Sequence, residues 1–188
     1  MAATKLPKRR GRPRGFNYDE ALDRAMHVFW HQGFEGASLN DLTAAMGTQP
    51  ASLYKAFGNK RTLFEKALAR YLAGPVAFVH DALNEPTAYA VADRILRRTA
   101  EFLTEGRSRR GCMTIQAALV GGVEGEPIRR KLIALRVKEQ EALRLRFERA
   151  KSEGDLPSDA DAADLARFVT ALFQVYTSVS CSGGWGEA

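Results

Sequence analysis

Between Ser38 and Phe64 the chain reads SLNDLTAAMGTQPASLYKAFGNKRTLF, and this stretch restricts folding more tightly than any other. Ser38, with Asp41 three residues on, makes a capping pair that starts a helix at Leu39, and Gly47 stops it after Met46. Pro50 suits the first turn of a second helix because it has no N–H to leave unpaired; Gly58 closes that helix after Phe57. Asn59 caps a third, beginning Lys60-Arg61-Thr62. The apolar residues Leu39, Leu42, Ala45 and Met46 on the first helix and Leu53 and Phe57 on the second must face one core. Two short helices on a tight turn with that patterning read as a helix-turn-helix, a unit that lays its second helix in a DNA groove.

Once Leu53 and Phe57 point inward, Thr48, Gln49, Ala51, Ser52, Tyr54 and Lys55 are left on the outer and N-terminal face of the second helix. Lys60 and Arg61 open the third helix, where backbone amides and cations converge on any phosphate. A preceding helix is expected from Tyr18 to Gln32, capped by Asn17 with Glu20 and stopped by Gly33. Its stripe of Leu22, Ala25, Met26, Phe29 and Trp30 packs under the unit. His27 and His31 lie one turn apart on it, but no H-E-x-x-H pattern or third ligand accompanies them, so no metal or cofactor is assigned.

The net charge of +6 matters because of where it lies: Lys5, Lys8, Arg9, Arg10, Arg12 and Arg14 precede residue 15 with no acid among them. Six of the 28 basic residues fall there and none of the 22 acidic ones, so the remainder is balanced. Residues 1 to 15 contain Pro7, Gly11 and Pro13 and no apolar period, which predicts a flexible basic arm. Its Arg10-Gly11-Arg12-Pro13-Arg14-Gly15 core resembles an AT-hook, in which extended arginines enter a narrow A/T-rich minor groove. A purely solubilising tail is the other reading.

From Phe16 to Leu68 the combined pattern is specific. Ala25 and Phe29 precede Gly33-Phe34-Glu35-Gly36, then come the Ser38 cap, Leu53-Tyr54-Lys55-Ala56-Phe57 and Asn59-Lys60-Arg61-Thr62-Leu63-Phe64. It resembles the DNA-binding domain of the tetracycline-repressor (TetR) family of bacterial transcriptional regulators. By position, the resemblance implies phosphate contacts from Ser38, Tyr54 and Lys60, and base contacts from Gln49, Ala51, Ser52 and Lys55. Gln49 stands where the family often has a short capping side chain, which weakens the cap and makes Gln49 a candidate reader of adenine.

The rest of the chain reads as all-α, making eight helices in total. One runs from Thr62 to about Leu83 with a break at Gly74-Pro75, and others cover about 87–104, 112–120, 127–151 and 159–179. The expected organisation is a basic arm over 1–15, the helix-turn-helix domain over 16–60, an effector-binding and dimerisation domain over 61–182 and a Gly-rich tail over 183–188. In the last helix Leu165, Phe168, Val169, Leu172, Phe173 and Tyr176 share an apolar face that suits a core or a dimer seam. The resemblance favours a homodimer through this helix, bound to a palindromic operator. It also implies an effector pocket in the helical body, for which Phe78, Phe102, Cys112, Met113, Gln116, Phe147, Phe168 and Phe173 are candidates; ordinary core is the alternative for each. Cys112 follows Arg109-Arg110-Gly111 and opens a predicted helix, a setting that favours thiolate and admits an oxidant or electrophile sensor, against a buried, inert thiol.

Neither cysteine, Cys112 or Cys181, has partners for a disulfide framework or zinc site, and no apolar run reaches membrane-spanning length, so a soluble cytoplasmic protein is expected. No P-loop, G-x-G-x-x-G or spaced catalytic set occurs, which argues against an enzyme. The expected function is a transcriptional regulator binding double-stranded DNA, most simply a repressor released by a small effector. The alternative is a weakly specific architectural DNA binder using the basic arm.

Overall fold

The computed structural model describes residues 17–104, 111–115 and 125–179. The chain enters α1 (Tyr18–Gly36) through Asn17, whose Oδ1 accepts the Glu20 N–H at 3.2 Å. Gly33 adopts φ 69° and ψ −176°, so the helix breaks at the glycine expected to stop it, then continues to Gly36. That extra turn buries Phe34, which faces Phe29 at 6.4 Å and the edge of Phe64 at 5.4 Å. Phe29 in turn meets Phe64 at 5.1 Å, and burying rings of this size stabilises by roughly 2–3 kcal/mol each.

Helix α2 (Leu39–Met46) starts on a complete capping box between Ser38 and Asp41 and ends on left-handed Gly47. Helix α3 (Pro50–Phe57) has proline in its first turn and no side-chain cap from Gln49. Asn59 caps α4 (Lys60–Ala73), accepting the Thr62 N–H at 2.8 Å. The long helix expected over 62–83 is divided at Gly74-Pro75 into α4, α5 (Ala77–Asp81) and a 3-10 turn, Ala82–Asn84. Proline without an N–H, and with a ring that clashes back into the preceding turn, accounts for the division.

Helix α6 (Ala88–Thr104) follows, with its first N–H donating to the carboxylate of Asp155, 67 positions later in the chain. Residues 113–115 are helical within the short described stretch after it. Helix α7 (Glu126–Ser152) is 27 residues long and is followed by α8 (Ala162–Val179). The latter begins at Ala162 because Asp161 Oδ1 accepts the Ala163 and Asp164 N–H groups at 2.8 and 2.9 Å.

Two apolar clusters organise these helices. The first unites Phe29, Leu42, Leu53, Phe57, Phe64 and Tyr71 of α1 to α4 with Cys112, Met113, Ile128 and Leu132, so one core runs from the reading unit into the body. The second joins Ala82, Val91 and Ile95 to Leu143, Phe147, Ala150, Ala166 and Val169 of α7 and α8. Outside the first core, Arg70 of α4 spans Asp19 at 3.1 Å and Asp23 at 2.8 Å on α1. No described helix is long and apolar enough to cross a membrane.

Candidate nucleic-acid interface

Helix α3 is held by its back. Leu53 and Phe57 are 0% and 2% exposed, with the Phe57 ring stacked on Tyr18 at 4.6 Å. Lys66 fastens that stack from outside, its Nζ donating to the Tyr18 hydroxyl at 2.9 Å. The opposite side of α3 carries Gln49, Ala51, Ser52, Tyr54 and Lys55, all exposed, with Thr48 half-buried at the turn. Tyr54 is 48% exposed, a large aromatic left in solvent while its neighbour Leu53 is sealed. Fixed φ/ψ at Gly47 (φ 63°) and Gly58 (φ 84°) bracket the helix, so this face is presented on a rigid support.

Ser38 and Lys60 lie at the starts of the flanking helices, but each already has internal partners. The Ser38 hydroxyl donates to Asp41 Oδ2 at 2.6 Å while its Oγ accepts the Asp41 N–H at 3.1 Å. Those Ser38 bonds hold the Asp41 carboxyl below its ordinary range, so a phosphate approaching Ser38 meets a persistent negative charge. Lys60 Nζ reaches the Glu35 carbonyl at 3.4 Å and lies 4.8 Å over the Phe34 ring. Arg10, Arg12 and Arg14 of the arm lie outside the described residues.

The candidate effector residues divide. Phe78, Phe102, Cys112 and Met113 gather beside Trp30 and Tyr71, where Trp30 stacks on Phe102 at 5.6 Å and meets Tyr71 edge-on at 5.0 Å. Phe147 belongs to the second cluster, and Phe173 packs against both. Phe168 does not line an interior: it is 61% exposed, because the apolar face of α8 is wide enough to serve two surfaces, with Val169 turned inward and Phe168 outward. Gln116 lies outside the described residues.

Of the two readings open for Cys112, the structure favours the buried thiol. It is 1% exposed, and burial pushes its thiol above the ordinary range despite contacts with Thr114 Oγ1 at 2.9 Å and the Tyr71 hydroxyl at 3.5 Å. Desolvation outweighs the helix start that the sequence placed there. Tyr71, also buried, is raised well above its usual range for the same reason and stays a neutral phenol.

Glu139 was missed among the candidates. The buried positions of α7 are Ile128, Leu132, Leu143, Arg146, Phe147 and Ala150, and the half-buried Glu139 falls within that series. Following the inward period along 127–151 would have exposed it as a carboxylate in an apolar stripe. Burial raises it from 4.5 to about 6, with Arg136 opposing, and its charge is felt at the Tyr71 phenol. Below about pH 4.5 it is protonated whether the chain is folded or not; as pH rises through 4.5 to about 6 stability is lost, because folding then buries a charge. Glu139→Gln is expected to raise the melting temperature at pH 7.5 by the equivalent of about 1 kcal/mol and to leave it unchanged at pH 4. Melting curves at the two pH values check this, and an equal shift at both would disprove it.

Comparison with known proteins places this arrangement. Residues 21–67 match the family model for bacterial regulatory proteins, tetR family. The HTH-type transcriptional repressor ComR of Escherichia coli K12 is 30% identical over 172 residues, covering 90% of this chain and 81% of ComR. The HTH-type transcriptional regulator YezE of Bacillus subtilis 168 is 32% identical over 162 residues, covering 85% of this chain and 83% of YezE. Among solved structures, a cysteine mutant of the TetR family transcriptional regulator CifR, complexed with 26-bp double-strand operator DNA, superimposes with a TM-score of 0.85. It is 40% identical, and the match covers 92% of this chain and 91% of that one. With its sealed helix-turn-helix and all-helical body, the chain belongs to the TetR family of bacterial transcriptional regulators.

Proposed function

We propose that the protein is a homodimeric repressor that sets two copies of α3 into successive major grooves of a palindromic operator and lets go when a small molecule enters the helical body. The observation that carries the reading is the division of α3: Leu53 and Phe57 are sealed in the core, while Gln49, Ala51, Ser52, Tyr54 and Lys55 form an exposed polar face. ComR bears the name of a repressor and CifR was solved on operator DNA, which supports the same activity here. Regulation rather than catalysis is the business of the family.

On this reading the arm over 1–15 and the head over 16–60 contact DNA, while the body over 61–182 senses and pairs, followed by the tail over 183–188. Tyr54 grips phosphate, and Lys60 joins it by swinging from the Glu35 carbonyl. Ser38 serves first as the α2 cap and reaches phosphate through its backbone end of that helix. Gln49, Ala51, Ser52 and Lys55 face the base edges. Pairing uses the outer faces of both long helices. Ile133, Val137 and Leu145 of α7 and Phe168, Val175 and Tyr176 of α8 are exposed apolar residues on two neighbouring helices, 38–65% accessible. The effector site is drawn from Trp30, Tyr71, Phe78, Phe102 and Met113.

Selection of duplexes from a random pool tests the function. A recovered palindrome preferred over random DNA by several kcal/mol supports the repressor; recovery of A/T-rich sequence without symmetry supports the architectural reading instead. On the selected site, Gln49→Ala is expected to relax base preference at one position of each half-site by about 1–3 kcal/mol. A uniform loss across all sequences would show that Gln49 does not read bases.

A further inference from the structure

Besides the Lys66 and Arg70 contacts of α4 with α1, two hydrogen bonds of long reach run from the last turns of α1 to the chain beyond residue 110. The Trp30 indole donates to the Gly111 carbonyl at 2.9 Å. Five residues later the Glu35 carboxylate accepts the Gly125 N–H at 3.0 Å. Gly33 breaks the helix between them, so each residue is aimed separately. Within the body, Tyr71 of α4 braces the stretch that receives Trp30, its hydroxyl accepting the Met113 N–H at 3.3 Å.

The Glu35 contact is closely fitted. Gly125 is the residue that leads into α7, and a Cβ built there would come within 2.6 Å of Glu35 Oε1, so a side chain at 125 would push the carboxylate out of its present place. A negative charge at that point also faces the positive end of a 27-residue helix dipole. Trp30 is equally constrained, stacked on Phe102 of α6 and set edge-on to Tyr71. Helix α7 continues from Gly125 to the outward Ile133 and Val137, so Glu35 joins the head to the same rigid element that carries the exposed apolar face.

We infer that Trp30 and Glu35 are positioning residues that fix each DNA-reading head relative to α7 and thereby set the half-site spacing the protein accepts. The inference rests on the paired-head reading above. Inserting one base pair between half-sites turns one by about 35° and shifts it along the axis. Heads clamped to a common frame must pay for that mismatch, whereas loosely tethered heads follow the DNA.

The test uses full-length protein, the duplex selected from the random pool, and the same duplex with one base pair inserted at its centre. Wild type is expected to bind the second on the order of 100-fold more weakly, within the range of coupling between rigidly linked sites. Glu35→Ala and Trp30→Phe should cut that penalty by about tenfold while changing affinity for random duplex little. Glu35→Gln, which keeps an oxygen to accept the Gly125 N–H, should restore it. Glu35 is only half-buried, so its variants carry the test if Trp30→Phe fails to fold. A full spacing penalty retained in Glu35→Ala overturns the clamp. A wild type indifferent to the insertion overturns the paired-head reading instead, and the clamp with it.

Discussion

A chain lacking residues 1 to 14 is expected to bind its selected duplex much more weakly and with a shallower dependence on salt. The segment holds Lys5, Lys8, Arg9, Arg10, Arg12 and Arg14 with no acid, while the remainder of the sequence is balanced. If only Arg10, Arg12 and Arg14 displace counterions, each head contributes about 3 to the slope of log affinity against log salt; extrapolated from molar salt, this is on the order of 100-fold at physiological ionic strength. The loss should be largest where A/T pairs flank the half-site, because a narrow minor groove concentrates the potential that attracts arginine. Titrations from low to high salt on A/T-flanked and G/C-flanked duplexes measure both effects. A slope that does not move on deletion removes the arm from the interface.

The second large effect concerns the outer faces of α7 and α8. Val137 is 65% exposed and Phe168 61%, so neither contributes much to the core of a single chain. Replacing both with glutamate should leave helical content and melting nearly intact in the monomer, yet would bury four unpaired charges in any seam formed by two copies. Sedimentation at micromolar concentration is expected to show a monomer. Affinity for the palindrome should fall to that of a lone half-site, a loss of about 10²–10⁴ once the second head no longer binds from a tethered position. A double variant that still sediments as a dimer would place the seam elsewhere.

What could be read from the sequence was local. The Asn17, Ser38 and Asn59 caps each act within three residues, and the structure contains all three bonds. The inward choice of Leu53 and Phe57 followed from their four-residue spacing, which left the face of α3 by subtraction. Legibility failed where a residue's neighbours come from distant sequence. The periodicity of α8 gave one apolar face, but only packing separates Val169, which turns in, from Phe168, which turns out. Arg109 and Arg110 suggested an ionised Cys112; the phenol of Tyr71, 41 positions earlier, covers it instead. Glu35 reads only as part of Gly33-Phe34-Glu35-Gly36 after the first helix, with nothing nearby to announce a partner 90 positions away. Glu139 was the exception, visible in principle as a charge out of place on the inward side of α7.

The first apolar cluster also bears on how such a regulator can be recombined. Leu42 and Phe57 share it with Ile128 and Leu132, and Phe64 and Tyr71 of α4 lie between. A chimaera joined at residue 60 would cut through this cluster, stripping Phe29 and Phe34 of the Phe64 edge they pack on and leaving a recipient body with an unmatched cavity. A transplant that keeps its shape must carry α4 along with the helix-turn-helix, and the recipient must offer a backbone N–H where Glu35 arrives and a carbonyl where Trp30 points. Sensor swapping between relatives is therefore a problem of matching one shared interior, and DNA preference can be exported only together with the surface that governs it.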